Sequence, residues 1–444
     1  MSFIAYPSMK EVAADWLETI PAHWSTMRMK SLFEIKKRIS GELGYDVLSV
    51  TQSGLKIRNI DSNDGQLSMD YSKYQMVYID DFVMNHMDLL TGYVDISRFN
   101  GVTSPDYRVF QIKRRDFSKG YFLYFFQNAY KQRIFYAYGQ GASELGRWRM
   151  PTDNFNDFLV PVPPPEEQAA IANFLDRETA KIDTLINEQK RLIELLKEKR
   201  QAVISHAVNK GLDPNVKLKP SGVEWLGDVP EHWEVQRIKT LSSTISKGTT
   251  PSTIGAEFTE EGIFFIKAEN ISNDKVDNLP AFFISDETHG ALKRSQLING
   301  DVLVVIAGAT TGKSAVYKST SPANTNQAVA FIRPCEDGWS EFIQLWLSTD
   351  LVQREITLQS VQSAQPNLSM ENLGNLSLPC PPAHDRQKIL EFLEQDIGKF
   401  NLLEQQIKLS VELLQERRSV LISAAVTGKI DVRGLVSDQQ AAAE

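Results

Sequence analysis

Apolar residues recur at alternating four- and three-residue spacing along two separate stretches of the chain. In the first, Ile182, Ile186, Ile193, Leu196, Val203 and Ala207 form a stripe interrupted by Gln189 and Arg200, which predicts a long helix over residues 176–210. In the second, Phe400, Ile407, Val411, Leu414, Leu421 and Ala425 repeat the stripe, interrupted by Glu404 and Arg418. Charged residues cover the remaining faces. At about 28 to 35 residues the helices span roughly 42 to 52 Å, longer than a small module is wide. Each stripe needs a partner, and the two helices packed antiparallel around an approximate twofold axis bury both. The competing arrangement, in which each helix caps its own module, fits that length less well.

Elsewhere the pattern shortens. "YQMVYIDDFVM", "DYRVFQIK", "GIFFIKAENI", "DVLVVIAG" and "AVAFIRP" are β-branched or aromatic runs bounded by Asp, Gly, Asn or Pro, and they predict strands. "GYFLYFFQNAYKQRIFYAYG" and "SEFIQLWLSTDLVQREITLQS" predict amphipathic helices in equivalent positions. Proline clusters at 161–165 and 379–382 close the module that precedes each long helix. The expected class is α+β: two mixed α/β domains in pseudo-twofold arrangement, separated by two long antiparallel helices. The expected boundaries are 1–160 and 214–376 for the modules, 161–213 and 377–436 for the helical segments, and 437–444 for a disordered tail.

The order of elements repeats because the sequence repeats. "WLETIPAHW" at 16–24 returns as "WLGDVPEHW" at 225–233, matching Trp16, Leu17, Pro21, His23 and Trp24 to Trp225, Leu226, Pro230, His232 and Trp233. "VPVPPPEEQAAIANFLDRETAKIDTLI" from 160 corresponds to "LPCPPAHDRQKILEFLEQDIGKFNLLE" from 378, and "LLKEKRQAVISHAVNKGLD" to "LLQERRSVLISAAVTGKID". Between these anchors the copies diverge.

Composition is ordinary for a globular protein, at 42% hydrophobic and 23% charged residues, and 444 residues provide for several cores. No basic-then-apolar leader opens the sequence, and no run approaches the roughly 18 apolar residues of a membrane span, so a soluble, cytoplasmic protein is expected. Cys335 and Cys380 each stand apart from any second Cys or His at ligand spacing, which points to buried single thiols, not a disulfide or a zinc site. The net charge of −8 argues against indiscriminate nucleic-acid binding but leaves room for a local basic surface. Residues 1–160 carry 19 Lys and Arg against 18 Asp and Glu, whereas 216–376 carry 13 against 19, so the second module is the more acidic.

Catalytic motifs fail on inspection. "VLVVIAGATTGKSAVY" at 302–317 suggests a phosphate-binding loop, but three residues instead of four separate Gly308 from Gly312, and β-branched residues follow where a helix must begin. Its repeat at 80–97 aligns Asp81 with Asp301 and Gly92 with Gly312, and sets Tyr93 against Lys313. "SPDYRVFQIK" lacks the second carboxylate of a metal-dependent nuclease. His23 and His232 lie between proline and tryptophan without a nucleophile beside them, which is a packing or capping context. No glycine-rich S-adenosylmethionine loop and no Asn/Asp-Pro-Pro-Tyr/Phe motif occurs. No catalytic residue and no metal ligand is assigned.

Nucleic-acid contact asks for less: donors and planar groups at loop tips. In the first module the candidates are Lys36, Lys37 and Arg38 in "KKRIS", Arg58 in "KIR", Tyr93, and Gln140, Arg147 and Arg149 in "GQGASELGRWRM". In the second they are Lys247 and Thr249 in "SKGTTPS", Lys267, Lys313, Asn326 and Gln327 in "NTNQ", and Gln365 and Asn367 in "SAQPNLS". Arginine can bond guanine bidentately, and asparagine or glutamine can do the same for adenine.

With its doubled "SGVEWLGDVPEHW"/"WLETIPAHW" motif, its two proline punctuations and its two helices ending "RQAVISHAVNKGLD" and "RRSVLISAAVTGKID", the chain resembles the specificity subunits of type I restriction-modification systems. The resemblance covers nearly the whole chain, although the first copy lacks the serine-glycine found at 221 and 222. It implies two target-recognition domains held apart by antiparallel helices, each reading one half of a bipartite double-stranded DNA target, in a subunit that is not catalytic. It also implies docking of two methyltransferase subunits that carry S-adenosylmethionine, with restriction subunits using ATP and Mg as further partners, and no cofactor on this chain. Divergent modules on repeated helices imply an asymmetric target, with half-sites about one duplex turn, or some 34 to 36 Å, apart. The acidic second module has little to offer phosphate, so weak DNA binding by the isolated chain is expected. A coiled-coil scaffold carrying two protein- or glycan-binding modules is the competing reading.

Overall fold

Each half of the sequence folds around its own four-stranded antiparallel sheet. A computed structural model describes residues 4–59, 71–141, 148–272, 274–360 and 366–435, and the chain divides into two compact units, Met1–Gln189 with Leu409–Glu444 and Lys190–Lys408. The tail expected to be disordered lies outside the described residues.

In the first unit, β1 (Phe33–Lys36), β2 (Phe82–Met84), β3 (Val94–Ile96) and β4 (Arg108–Ile112) lie in the order β1-β4-β2-β3. Phe82, Val83 and Met84 are fully buried, so β2 reads as a continuous apolar run and not as an alternation. The helix Lys119–Lys131 packs onto this sheet, its first turn capped by the Ser118 hydroxyl accepting from the Tyr121 N–H at 3.3 Å. Phe33, Phe82, Phe110, Phe122 and Phe126 fill the core, with ring centroids 5.2 to 5.7 Å apart.

The second unit repeats the plan. β5 (Ser242–Lys247), β6 (Val302–Val305), β7 (Ser314–Val316) and β8 (Val329–Pro334) lie in the order β5-β8-β6-β7. Register makes the correspondence residue by residue: Phe110 pairs with Ile35 and Phe82, and Ile332 pairs with Ile245 and Val302. The helix expected from "SEFIQLWLSTDLVQREITLQS" is two helices, Trp339–Leu347 and Asp350–Ser360. The Thr349 hydroxyl between them bonds back to the Trp346 carbonyl at 2.8 Å.

The long helices lie within the expected helical segments but exceed the expected length. α1 runs Pro165–Lys210 over 46 residues and α2 runs Ala383–Val426 over 44. Proline ends a helix from inside but is favoured at its first position, where the N–H has no partner to lose. The first turns of α1 serve the module, because Ile171 and Phe174, which lie off the stripe, and Leu175, which continues it, are all buried in the first unit's core. Nor do the proline clusters exclude strands: Pro161 and Pro379 lie in Leu159–Val162 and Ser377–Cys380, which pair with Ser25–Arg28 and Glu234–Arg237 in two-stranded sheets. Of the two thiols expected to be buried, Cys380 is buried and Cys335 is exposed.

The Pro-x-His-Trp motif joins both long helices within each unit. In the first, the Glu167 carboxylate, third residue of α1, accepts from Tyr6 Oη, from His23 Nε2 at 2.7 Å and from Trp24 Nε1 at 3.0 Å. The other side of Trp24 lies against Gly428, just past α2, where φ is +72° and a Cβ would overlap Pro21. In the second unit, Asp385, third residue of α2, accepts from His232 Nε2 at 2.8 Å and Trp233 Nε1 at 3.4 Å, and Trp233 packs on Gly211 just past α1, at φ +77°. The start of one helix and the end of the other therefore share a tryptophan, so the helix segments within each unit run antiparallel.

The stripes meet accordingly. In the first unit Ile182 and Ile186 are buried in one cluster with Leu421, with Val411 and Leu414 packed against it, and Arg418 holds Asp183 at 2.9 Å. In the second unit Val203 packs against the cluster that contains Ile389 and Leu393, while Ile193, Leu196 and Phe400 are half-buried and Ile407 is buried.

Candidate nucleic-acid interface

One end of each sheet gathers most of the candidate residues. In the second unit this end is formed by the close of β5, the start of β8, the close of β6 and the start of β7. Lys247 is the last residue of β5, and the Thr249 N–H bonds the Thr325 carbonyl at 3.2 Å beside Asn326 and Gln327. The Asn326 N–H in turn bonds the Ile266 carbonyl at 3.3 Å, which brings in Lys267. Ile306 receives the Leu368 N–H at 2.8 Å, so Asn367 lies across from Ala307 on the same end, and Lys313 leads into β7.

Several of these side chains are already engaged. Lys267 Nζ sits 3.2 Å from the centroid of the Phe282 ring and 4.6 Å from that of Phe258. Asn326 Oδ1 caps the Ala328 N–H at 3.2 Å, and Gln327 Oε1 accepts from the Thr250 hydroxyl. Lys247, Lys313 and Asn367 are exposed and make no side-chain hydrogen bond or ion pair with the described residues. Gly308 and Gly312 both adopt positive φ, at +100° and +96°, to turn the chain from β6 into β7. A strand follows where a phosphate loop requires a helix, which explains the glycine-lysine-serine stretch as a hairpin.

The first unit presents the same end with different chemistry. The Met150 N–H bonds the His86 carbonyl at 2.9 Å, as Leu368 bonds Ile306, so Arg149 occupies the place of Asn367. Arg149 and Gln140, both exposed, face each other in a β-bridge with backbone bonds of 2.8 and 3.0 Å. Arg147 and Gln365 lie outside the described residues. Lys37, one step past the last paired residue of β1, matches Lys247 by register and is likewise exposed.

Two expectations are corrected by burial and pairing. Tyr93 is 9% exposed and packs 6.3 Å from Tyr130, with burial pushing its phenol up to about 12, so it belongs to the core and not to a surface. Its counterpart Lys313 is exposed: the Asn85 N–H bonds the Tyr93 carbonyl as the Val305 N–H bonds that of Lys313. Arg38 is drawn inward onto the fully buried Asp81, which also accepts from Gln111 Nε2 at 2.7 Å and from the Tyr78 N–H at 2.8 Å. Lys36 pairs with Glu34 at 2.7 Å, and Arg58 is half-buried with its N–H on the Val47 carbonyl at 2.8 Å.

The second unit holds its equivalent acid differently. Asp301, fully buried, accepts two bonds of 2.8 Å from Arg333 and one of 2.8 Å from the Ile298 N–H. By register Arg333 corresponds to Gln111, and Arg38 corresponds to Gly248, where a Cβ would overlap the Thr325 carbonyl. The aligned pair of aspartates was visible in the sequence; the change of cation from one strand to another was not.

A buried positive centre underlies Arg149. Arg108 is 4% exposed, its Nη2 bonded to the Met150 carbonyl at 3.1 Å and its guanidinium 4.4 Å over the Phe155 ring. Burial lowers it to about 10, and burial together with the charges of Arg108 and Arg149 lowers His86 to about 3, so His86 is neutral near pH 7. Sequence patterning missed both because they sit in an apolar strand and its turn. Alanine, at 330, stands where the second unit would carry Arg108. Among the described residues no group of three or more His, Cys, Asp or Glu is placed to hold a metal ion, and no helix is long and apolar enough to cross a membrane.

Comparison with known proteins assigns the family. The chain is 25% identical over 323 residues to the type I restriction enzyme EcoBI specificity subunit of Escherichia coli, covering 68% of this chain and 67% of that one. It is 22% identical over 443 residues, 93% of this chain and 95% of the other, to a putative type I restriction enzyme MjaX specificity subunit of Methanocaldococcus jannaschii. Two solved structures share the fold. One comes from work on complex assembly and conformational transition of the type I R-M system (TM-score 0.67, 14% identity, 93% of this chain and 99% of that one); the other is the HsdS subunit of Thermoanaerobacter tengcongensis (TM-score 0.52, 15% identity, 93% and 98%). The type I restriction modification DNA specificity domain matches twice, at residues 21–195 and 230–413, and the chain belongs to that family of non-catalytic specificity subunits.

Proposed function

We propose that each unit reads one half of an asymmetric, bipartite double-stranded DNA target through the end of its sheet where β1 or β5 closes. Residues 1–160 and 214–376 act as the recognition domains, and 161–213 and 377–436 as the helical segments that carry them. The observation that supports this is the repeated placement of exposed donors at one sheet end, with different residues in the two units. Leucines left exposed on the long helices support a second role, docking of two methyltransferase subunits. In the first unit these include Leu185, Leu409 and Leu413, and in the second Leu192, Leu195, Leu402 and Leu403. The methyltransferase subunits carry S-adenosylmethionine, restriction subunits using ATP and Mg join them, and the assembly works in the cytoplasm.

Coexpression with the methyltransferase subunit, followed by mapping of methylated adenines, tests this reading. Exchange of residues 216–376 for a foreign module alters one half-site and leaves the other unchanged. A target altered in both halves, or in neither, overturns it, and absence of any discontinuous methylated site favours the scaffold reading.

A further inference from the structure

Two pairs of equivalent positions at the sheet ends differ in how they have diverged. Lys37 and Lys247 match by strand register and carry the same residue. Arg149 and Asn367 match through the backbone bonds of the residues that follow them, Met150 to His86 and Leu368 to Ile306, and carry different residues. All four are exposed, and none is bound to a carboxylate of the described residues, unlike Lys36 and Arg38. Chemistry separates the pairs. An ammonium on a flexible stem is a point charge that suits phosphate and carries no sequence information. A planar guanidinium or carboxamide presents two hydrogen-bonding atoms in a fixed geometry, which matches guanine for arginine and adenine for asparagine.

We infer that Lys37 and Lys247 hold DNA phosphates in the same way in both units, while Arg149 and Asn367 are specificity-determining residues, Arg149 for a guanine in one half-site and Asn367 for an adenine in the other. This rests on the reading of each unit as a half-site reader. Identical lysines set both units on the backbone alike, and the divergent pair makes the target asymmetric. The buried Arg108 beneath Arg149 adds positive potential that favours the electronegative edge of guanine, and the second unit has alanine there.

The test uses the complex coexpressed with its methyltransferase subunits, with methylated sites mapped across a genome and binding measured over a series of salt concentrations. Arg149→Ala and Asn367→Ala each lower methylation of the wild-type target by about ten- to a hundred-fold and relax one base position, each in a different half-site. Arg149→Asn moves the preference at its position from guanine toward adenine. Lys37→Ala and Lys247→Ala leave the recognised sequence unchanged and each lower the slope of log affinity against log salt by about one. If the wild-type complex reads a bipartite target but Arg149→Ala and Asn367→Ala leave every position as selective as before, the assignment falls and the half-site reading stands. A lysine variant that changes base choice overturns the phosphate assignment. A wild-type complex without a bipartite target removes the underlying reading itself.

Discussion

Replacing Glu167 with alanine destabilises the first unit far more than the equivalent replacement, Asp385→Ala, destabilises the second. Glu167 is 5% exposed, and its Oε1 accepts from both Tyr6 Oη and Trp24 Nε1, on side chains that are 5% and 1% exposed. Alanine leaves those two buried donors without an acceptor, at ~1–3 kcal/mol each, whereas His23, 40% exposed, turns to water. The expected loss is about 4 kcal/mol. Asp385 is 34% exposed and its partner His232 is 51% exposed, while the Trp233 bond is 3.4 Å long, so Asp385→Ala costs about 1 kcal/mol or less. Glu167→Gln retains an oxygen for Tyr6 and Trp24 and costs about 1 kcal/mol. Urea denaturation of the purified chain gives the three values, and hydrogen exchange of peptides spanning residues 6–28 and 165–175 places the loss in the first unit. Equal losses for Glu167→Ala and Asp385→Ala, or a glutamine variant as unstable as the alanine one, refute the accounting.

Three further outcomes are expected. Asp301→Ala leaves Arg333 without its carboxylate and costs about 3–5 kcal/mol, read from the urea midpoint; a cost below 1 kcal/mol excludes a structural role for the pair. His86, held down at about 3 by burial and two arginines, binds a proton more readily unfolded than folded, so its contribution is complete above about pH 6.5 and declines as pH falls toward 3. Over that window His86→Gln flattens the stability profile by at most about 1.4 kcal/mol per pH unit, and an unchanged profile contradicts the assignment. The isolated chain, net −8, binds its mapped target weakly at about 0.15 M salt; anisotropy showing tight, sequence-specific binding overturns the view that partner subunits supply much of the phosphate contact.

Short-range patterns carried most of the architecture. The stripe from Ile182, the strands around Phe82 and Val302, and the paired tryptophan motifs are local signals reinforced by duplication. The first turns of α1 were hidden because Ile171 and Phe174 face a module core off the seam stripe, which Leu175 alone continues as a large apolar residue. The candidate site was legible in outline, since loop-tip donors such as Lys37, Arg149 and Asn367 announce themselves by type and context. Which donors remain available was not legible. Arg38 meets Asp81 across 43 residues and Trp24 meets Glu167 across 143, and such pairings are decided by tertiary packing, not by neighbours in sequence. Tyr93 was a candidate through its alignment with Lys313, and packing against Tyr130 placed it inside.

The two ways of neutralising the buried aspartate constrain how such a gene can recombine with itself. A crossover between the repeats that joins the Gly248 side of the second copy to the Asp81–Gln111 side of the first leaves a buried carboxylate with no cation. The reciprocal product brings Arg38 and Arg333 to a single aspartate, two charges where one is needed. Duplication supplies matching anchors at the motif and helix segments, and viable joints fall outside the segment from the close of the first sheet strand to the fourth. If each unit reads its own half-site, as proposed, new specificities arise by trading whole modules at the proline-flanked ends, and hybrids broken inside a sheet are lost as unstable protein before their DNA preference is ever tested.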